Sequence, residues 1–355
     1  MDFNRTVKIG DVEVGSGRPV FLIAEMSANH GGSKEAALEI VRAAKRAGAD
    51  AVKLQTYRAD TITLDSDKSD FLLPIDSPWK DFKTMHGVYA KAYTPWEWHS
   101  DLFKEARSLG LEIFSAPFDE TAVDFLEELG APAYKVASPE ITHIPLLRRI
   151  ARTKKPVILS TGLASGDDLD IALQTLQKED CRDVVLLKCT SEYPAPPEEM
   201  NLETMRDFGR RFGCLYGLSD HTMGSVVSTA AVAMGAAVIE KHFRLNETTG
   251  GVDEFFSLSE SRFGELVRDV RVVEKAKGSV CYDVPPRQVK NLNARRSLYV
   301  AKDIKKGEPL TPENIRCVRP GFGLHPKYYD AVIGKRVVKN LEAGDRLTLE
   351  DVEGA

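Results

Sequence analysis

The sequence predicts an α/β chain. A (β/α)8 TIM barrel is expected over residues 1–279, a linker over 280–290, and a small, mostly β domain over 291–355. Three observations carry this. Apolar runs of strand length recur eight times before residue 280 and alternate with helical patterns. Runs apolar on both faces suit a parallel sheet covered by helices, and about 250 residues is the size of a closed barrel. Near residue 280 the composition shifts. A doubly wound open sheet is the alternative arrangement.

The expected strands are "PVFLIAEM" (19–26), "AVKLQTY" (51–57), "EIFSAPF" (112–118), "AYKVASPE" (133–140), "PVILSTG" (156–162), "VVLLKCTS" (184–191), "LYGLSDH" (215–221) and "VIEKHF" (238–243). Between them, "SKEAALEIVRAAKRAG" repeats apolar residues at three and four, opens on Ser33 as N-cap and stops at Gly48. The segments "TPWEWHSDLFKEARSLG", "ETAVDFLEELG", "IPLLRRIARTK", "GDDLDIALQTLQKE", "LETMRDFGRRFG", "GSVVSTAAVAMGA" and 261–277 follow the same period. The long connection at 58–94 has the length of a functional lid. "VCYDVPPRQVKN" reads as a linker. After it, "KDIKKGEPLTPENI" and "KNLEAGDRLTLEDV" look like two copies of one strand–turn–short-helix unit.

The chain is 43% hydrophobic with a net charge of -5, so no basic excess argues for nucleic acid or an anionic membrane as its main partner. Its five cysteines are scattered and lack C-x-x-C spacing, as expected of free thiols in a reducing compartment. "MDFNRTVKIGDVEVGSG" has charges where a secretory signal would be apolar. No apolar run approaches the roughly 18 to 20 residues that span a bilayer. A soluble cytoplasmic protein is expected.

Active-site groups of a parallel barrel come from the carboxyl ends of its strands. Here those ends carry Glu25; Lys53 and Gln55; Ser115; Lys135, Ser138 and Glu140; Ser160; Ser191 and Tyr193; Ser219, Asp220 and His221; and Glu240, Lys241 and His242. A buried lysine is costly unless paired. Lys53, Lys135 and Lys241 converging on one mouth, with serine hydroxyls, would bind phosphate or carboxylate. His221 and His242 end consecutive strands, and two imidazoles with a carboxylate and water suit Mn²⁺, Fe²⁺ or Zn²⁺. The alternative is a pair of histidines hydrogen-bonded in a polar rim. Glu25 and Glu140 are either acid–base groups or sugar ligands, or else salt-bridge partners of Lys53 and Lys135. Asp220 is a helix cap or a support for His221.

The ordered set "IAEMSANHGGS", "GADAVKLQTY", "YKVASPE", "STG", "CTSEYPAP", "GLSDHT" and "IEKHF" resembles the sialic acid synthase family, the phosphoenolpyruvate-condensing synthases of nonulosonic acids. The tail "ARRSLYVAKDIKKGEPLTPENIRCVRPG" is similar to the SAF (antifreeze-protein-like) domain that ends those enzymes. "AEMSANH" departs from the "AEIGxNH" pattern of N-acetylneuraminate synthases. "QTYRADTITL", "TPWEWHSDLF", "VDEFFSL" and "RPGFGLHPKYYDAVIGK" resemble the pseudaminic acid branch.

The resemblance implies a transferase that condenses phosphoenolpyruvate with an open-chain N-acetylated amino sugar and releases phosphate. It implies a divalent metal, Mn²⁺, on His221 and His242. It implies phosphoenolpyruvate contacts at Lys53, Ser115, Lys135, Ser138, Ser160, Ser191 and Ser219. Glu25, Gln55, Tyr193 and Asp253 fall at sugar-side positions, and Glu140 at an acid–base position. Arg319 matches the arginine that one subunit's SAF domain places over its partner's barrel, which implies a domain-swapped homodimer. Legionaminic and N-acetylneuraminic acid synthases are rivals of the same class. A metal-dependent barrel hydrolase or isomerase, or a non-catalytic sugar-binding protein, are rivals of other classes.

Overall fold

The computed structural model describes residues 3–354. The chain divides after Gly278 into two compact units.

In the first unit eight parallel strands alternate with helices: β1 (Phe21–Glu25), β2 (Ala51–Thr56), β3 (Glu112–Pro117), β4 (Tyr134–Val136), β5 (Val157–Ser160), β6 (Val184–Cys189), β7 (Leu215–Asp220) and β8 (Val238–Arg244). β8 pairs with both β7 and β1, with Glu240 opposite Ser219 and His242 opposite Glu25. The sheet is therefore a closed barrel, not an open one. The helix Lys34–Ala47 has the expected ends: Ser33 accepts from the Ala36 N–H, and Gly48 is left-handed with φ 89°. The connection at 58–94 is not bare loop; it contains helices at Ala59–Ile62 and Met85–Ala92.

Strand alternation sorts side chains into two sets. One set, including Phe21, Ile23, Phe114, Ile158 and Val238, clusters inside the barrel. The other set packs against the helices. An N-terminal hairpin, Thr6–Ile9 with Val12–Gly15, places Val7, Ile9 and Val14 in the inner cluster and plugs the amino end of the barrel. Followed toward the carboxyl ends, the inward alternation runs from Ile23 to Glu25, from Ala51 to Lys53 and Gln55, and from Ala133 to Lys135. It continues from Ile158 to Ser160, from Leu215 to Ser219 and His221, and from Val238 to Glu240 and His242. One end of the interior is hydrocarbon and the other is ionic.

The second unit has two short antiparallel strands, Ser297–Val300 and Ile315–Val318, around its own core. Its sequence repeat is a structural one. Ile304 and Leu341, at equivalent places in the two copies, exchange backbone hydrogen bonds. Gly307 donates to Val337 just as Gly344 donates to Val300. The segment expected as a linker falls within this unit, and from Pro286 to Ala294 it is a 3-10 helix.

Candidate active site

An ionic cluster fills the carboxyl half of the barrel. Lys53 Nζ lies 2.8 Å from Glu240 Oε1 and 3.1 Å from Glu25 Oε2. Lys135 Nζ lies 3.6 Å from Glu240 Oε1, and the Ser219 hydroxyl donates to that same oxygen at 3.2 Å. All five side chains are buried. Burial by itself would raise the Glu240 carboxyl, but Lys135 and Lys53 outweigh it and hold the group down at about 2. Burial dominates at Glu25 and pushes it up to about 7 against the pull of Lys53. Lys135 is lowered to about 8, chiefly by burial, whereas the two carboxylates overcome burial at Lys53 and raise it. Of the salt bridges weighed for the glutamates, Glu25–Lys53 forms. Glu140 makes no ion pair among the described residues; burial lifts its carboxyl to about 7.

Beside this cluster is a group of hydroxyls. Gly162 N–H donates to the Ser138 hydroxyl at 2.9 Å. A Cβ on Gly162 would come within 2.4 Å of Ser191 Oγ and 2.9 Å of Ser138 Oγ, so glycine is what keeps the space open. Ser160 Oγ, Ser191 Oγ and Glu140 Oε2 are buried without a hydrogen-bond partner. Buried polar atoms are nearly always satisfied, so such a group of orphans, with Lys135 acting on Glu140, marks a place for a polar ligand.

At the rim, the His221 and His242 rings stand 5.4 Å apart between centroids. His221 Nδ1 lies 2.8 Å from the Thr190 carbonyl, which can only accept. A hydrogen is therefore held on Nδ1, and Nε2 is the nitrogen left for a ligand. Burial, reinforced by His221 and Lys53, holds His242 far below the usual histidine range, so it stays neutral. His242 Nδ1 is buried and unpartnered. Burial would lower His221, but Cys189 beside it outweighs burial and raises the ring, so a cation there would take the place of a proton on Nε2; with neutral His242, the pair fits a divalent cation. No group of three or more His, Cys, Asp and Glu side chains among the described residues is arranged to hold one, so water and substrate would complete the shell. Tyr193 packs on His221 at 4.3 Å, and Phe256 packs on His242 at 4.7 Å. Trp79, from the long connection, approaches Tyr193 at 6.1 Å, and its indole N–H donates to the Val252 carbonyl.

A third group completes the mouth. Gln55 Nε2 donates to Glu25 Oε1 at 3.1 Å and to Ser27 Oγ at 3.2 Å, and Ser27 Oγ donates to Asp253 Oδ2.

Three expectations change. Ser115 is not in the mouth. Its neighbour Phe114 points inward, and the Ser115 hydroxyl pairs with Thr56, which bonds His99 on the surrounding helix. Lys241 likewise points outward, to Asp220 at 2.8 Å. Asp220 is no helix cap, since the next helix begins at Val226 after Ser225. It holds the turn that presents His221 by accepting from the Thr222 N–H and hydroxyl. Arg319 is an exposed residue of the second unit, next to the strand Ile315–Val318.

The sequence profile of the NeuB family matches residues 40–282, and that of the SAF domain matches 295–353. The chain belongs to the NeuB family. It is 44% identical to the pseudaminic acid synthase of Campylobacter jejuni (strain 81-176), over 94% of this chain and 97% of that one. It is 36% identical to the N,N'-diacetyllegionaminic acid synthase of Legionella pneumophila, over 96% of each chain. A crystal structure of the N-acetylneuraminic acid synthetase from Leptospira borgpetersenii, in complex with citrate, superposes with a TM-score of 0.72 at 26% identity. That match covers 82% of this chain and 96% of the other. This NeuB-family member is thus an enzyme, a synthase, with the barrel and SAF architecture of its relatives. No helix among its described residues is long and apolar enough to cross a membrane.

Gly162 and Ser27 are site residues that the strand ends did not point to. Glu240 stood among the strand-end groups without a role, which its inward alternation with His242 would have given it. Gly162 and Ser27 show their roles only in three dimensions.

Proposed function

We propose that this enzyme is a pseudaminic acid synthase. It condenses phosphoenolpyruvate with 2,4-diacetamido-2,4,6-trideoxy-L-altrose and releases phosphate. The reading is carried by the similarity to pseudaminic acid synthases along almost the whole chain, joined to an anion-ready barrel interior.

In this mechanism Lys53, Lys135 and the hydroxyls of Ser138, Ser160, Ser191 and Ser219 take the phosphate and carboxylate of phosphoenolpyruvate, fixing it before reaction. His221 and His242 are the residues that would hold a divalent cation, Mn²⁺ in this proposal, and such a cation supplies Lewis-acid polarisation of a carbonyl. Glu25, Gln55, Tyr193 and Asp253 orient the sugar. The methylene carbon of phosphoenolpyruvate bonds to the aldehyde carbon, whose oxygen takes up a proton. Water adds at the resulting cationic C2 and loses a proton, and phosphate leaves with its bridging oxygen. Glu25 and Glu140 both sit near 7 and can each give or take a proton at neutral pH. We also propose that the enzyme works in the cytoplasm as a domain-swapped homodimer, with Arg319 of each SAF domain serving the partner's barrel. A chain ending near residue 280 would then lose activity.

The test is a substrate panel. The enzyme, phosphoenolpyruvate and Mn²⁺ are combined with the diacetamido altrose, with the legionaminic precursor or with N-acetylmannosamine, and phosphate release is followed. Turnover with the first sugar is expected. Turnover confined to either of the others refutes the assignment.

A further inference from the structure

Ser27 stands at the second position of a tight turn that Asn29 N–H closes onto the Met26 carbonyl at 3.1 Å. Its φ is 48°, in the left-handed region. Glycine is the usual residue there, because any Cβ is strained. A strained residue that persists in a buried site points to a function for its side chain, and Ser27 is buried at 2% exposure.

The hydrogen bonds show what that side chain does. Asp253 Oδ2 can only accept, so the Ser27 hydroxyl spends its single proton there. The hydroxyl oxygen is then an acceptor for Gln55, which must turn its NH₂ group toward Ser27. The other amide hydrogen goes to Glu25 Oε1, which also takes the Ser27 N–H at 3.1 Å. Both hydrogens of the Gln55 amide are occupied. Its carbonyl oxygen accepts no hydrogen bond among the described residues, and the half-exposed side chain presents that oxygen to the mouth.

We propose that Ser27 is a specificity-determining positioning residue that fixes Gln55 as a hydrogen-bond acceptor toward the C4 substituent of the sugar, so that the site favours the second acetamido N–H, the one N-acetylmannosamine lacks. This rests on the sugar-side role given to Gln55 above. The discrimination follows from donor chemistry. An amide N–H can only donate, and it is rejected by a site that presents an NH₂ group. A hydroxyl both donates and accepts, so it tolerates either face of Gln55. Without the serine hydroxyl, Gln55 keeps only its bond to Glu25 and its amide is held less firmly. The cost then falls on the sugar with an acetamido group at C4 and spares one with a hydroxyl there.

Ser27→Gly removes the hydroxyl and relieves the backbone. Ser27→Ala removes the hydroxyl and keeps the Cβ. Michaelis constants are measured for the diacetamido altrose and for N-acetylmannosamine, taking an inhibition constant where turnover is too slow to follow. Both variants are expected to raise the constant for the diacetamido sugar about tenfold, the weight of one misplaced hydrogen bond. In both, the constant for N-acetylmannosamine is expected to change much less than that for the diacetamido sugar, so that the preference between the two sugars shifts by about the same factor. Unchanged constants, equal changes for both sugars, or a loss confined to kcat overturn the proposal. If wild-type enzyme fails to use the diacetamido sugar, the parent reading fails instead. A wild-type enzyme that uses it, with variants of unaltered preference, sinks this inference alone.

Discussion

The buried pair Asp220–Lys241 gives a sharp test of how the rim is held. Both residues are 1% exposed, and Lys241 Nζ contacts Asp220 Oδ2 at 2.8 Å and the Thr222 carbonyl at 2.6 Å. Asp220 also accepts from the Thr222 N–H, the Thr222 hydroxyl and the Ser228 hydroxyl. One carboxylate thus ties β7, β8 and the helix Val226–Ala233 together behind His221. Asp220→Asn keeps the shape but leaves the ammonium in an apolar layer without its counter-charge, and an amide cannot accept at every position the carboxylate serves. Breaking one side of such a pair costs about 3–5 kcal/mol. At about 2–4 °C per kcal/mol for a large domain, the melting temperature should fall on the order of 10 °C. Lys241→Met should cost a similar amount. The double variant removes both charges, so it should be better than the sum of the singles by about 2–3 kcal/mol. Trp79, Trp96 and Trp98 all lie in the barrel unit, so urea unfolding followed by tryptophan fluorescence reports on that unit. A single-variant cost under about 1 kcal/mol, or strict additivity in the double variant, refutes the account.

Other outcomes follow from the same geometry. Because burial holds the Glu140 carboxyl up at about 7, its protonated form supports the fold at low pH, and that support is lost as pH rises through about 7. Glu140→Gln should unfold much like wild type near pH 5 and be more stable by about 3 kcal/mol near pH 8; a difference that does not change with pH contradicts this. Gly162→Ala places a methyl within 2.4 Å of Ser191 Oγ at a position where the backbone conformation is ordinary. It should raise the Michaelis constant for phosphoenolpyruvate about tenfold or more with little change in melting temperature, and an unchanged constant would mean that the space Gly162 keeps open is not the anion site. His221→Ala should lower phosphate release at least about a hundredfold even with excess Mn²⁺, and retained turnover removes the ligand role.

The barrel was legible because each strand is apolar on both faces and each helix carries its own period. The site was legible less completely, and the reason is alternation. Listing polar residues at strand ends collects both faces. Ser115 follows inward Phe114 and therefore faces a helix, and Lys241 lies between inward Glu240 and His242. Counting in twos from the apolar inner residues would have dropped both and kept Glu240. Glu140 could not be placed this way, since β4 ends at Val136 and the next residues form the 3-10 helix Ser138–Thr142. The hairpin Thr6–Gly15 did carry a signal, the alternating "TVKI" and "VEVG", but two short strands before a barrel give no hint that they close its end. Ser27 was visible as a departure from a motif. Only its φ and its partners show what the departure does.

The arrangement of charge in the mouth explains why the lysines are paired and still able to bind an anion. A barrel interior cannot keep two free ammonium groups, because desolvation would expel or neutralise one. Glu240 meets that need by sitting between Lys53 and Lys135 as a firm anion, held at about 2. Glu25 behaves differently: at about 7 it is charged or neutral according to its surroundings. With Glu25 ionised the four groups balance; with Glu25 protonated they carry one net positive charge. An incoming phosphate and carboxylate favour the second state, since added negative charge raises a nearby carboxyl further. The empty site is therefore close to neutral and stable, and a bound anion itself draws a proton onto Glu25. In the proposed reaction, that proton is one the Glu25 carboxyl would have available for the aldehyde oxygen.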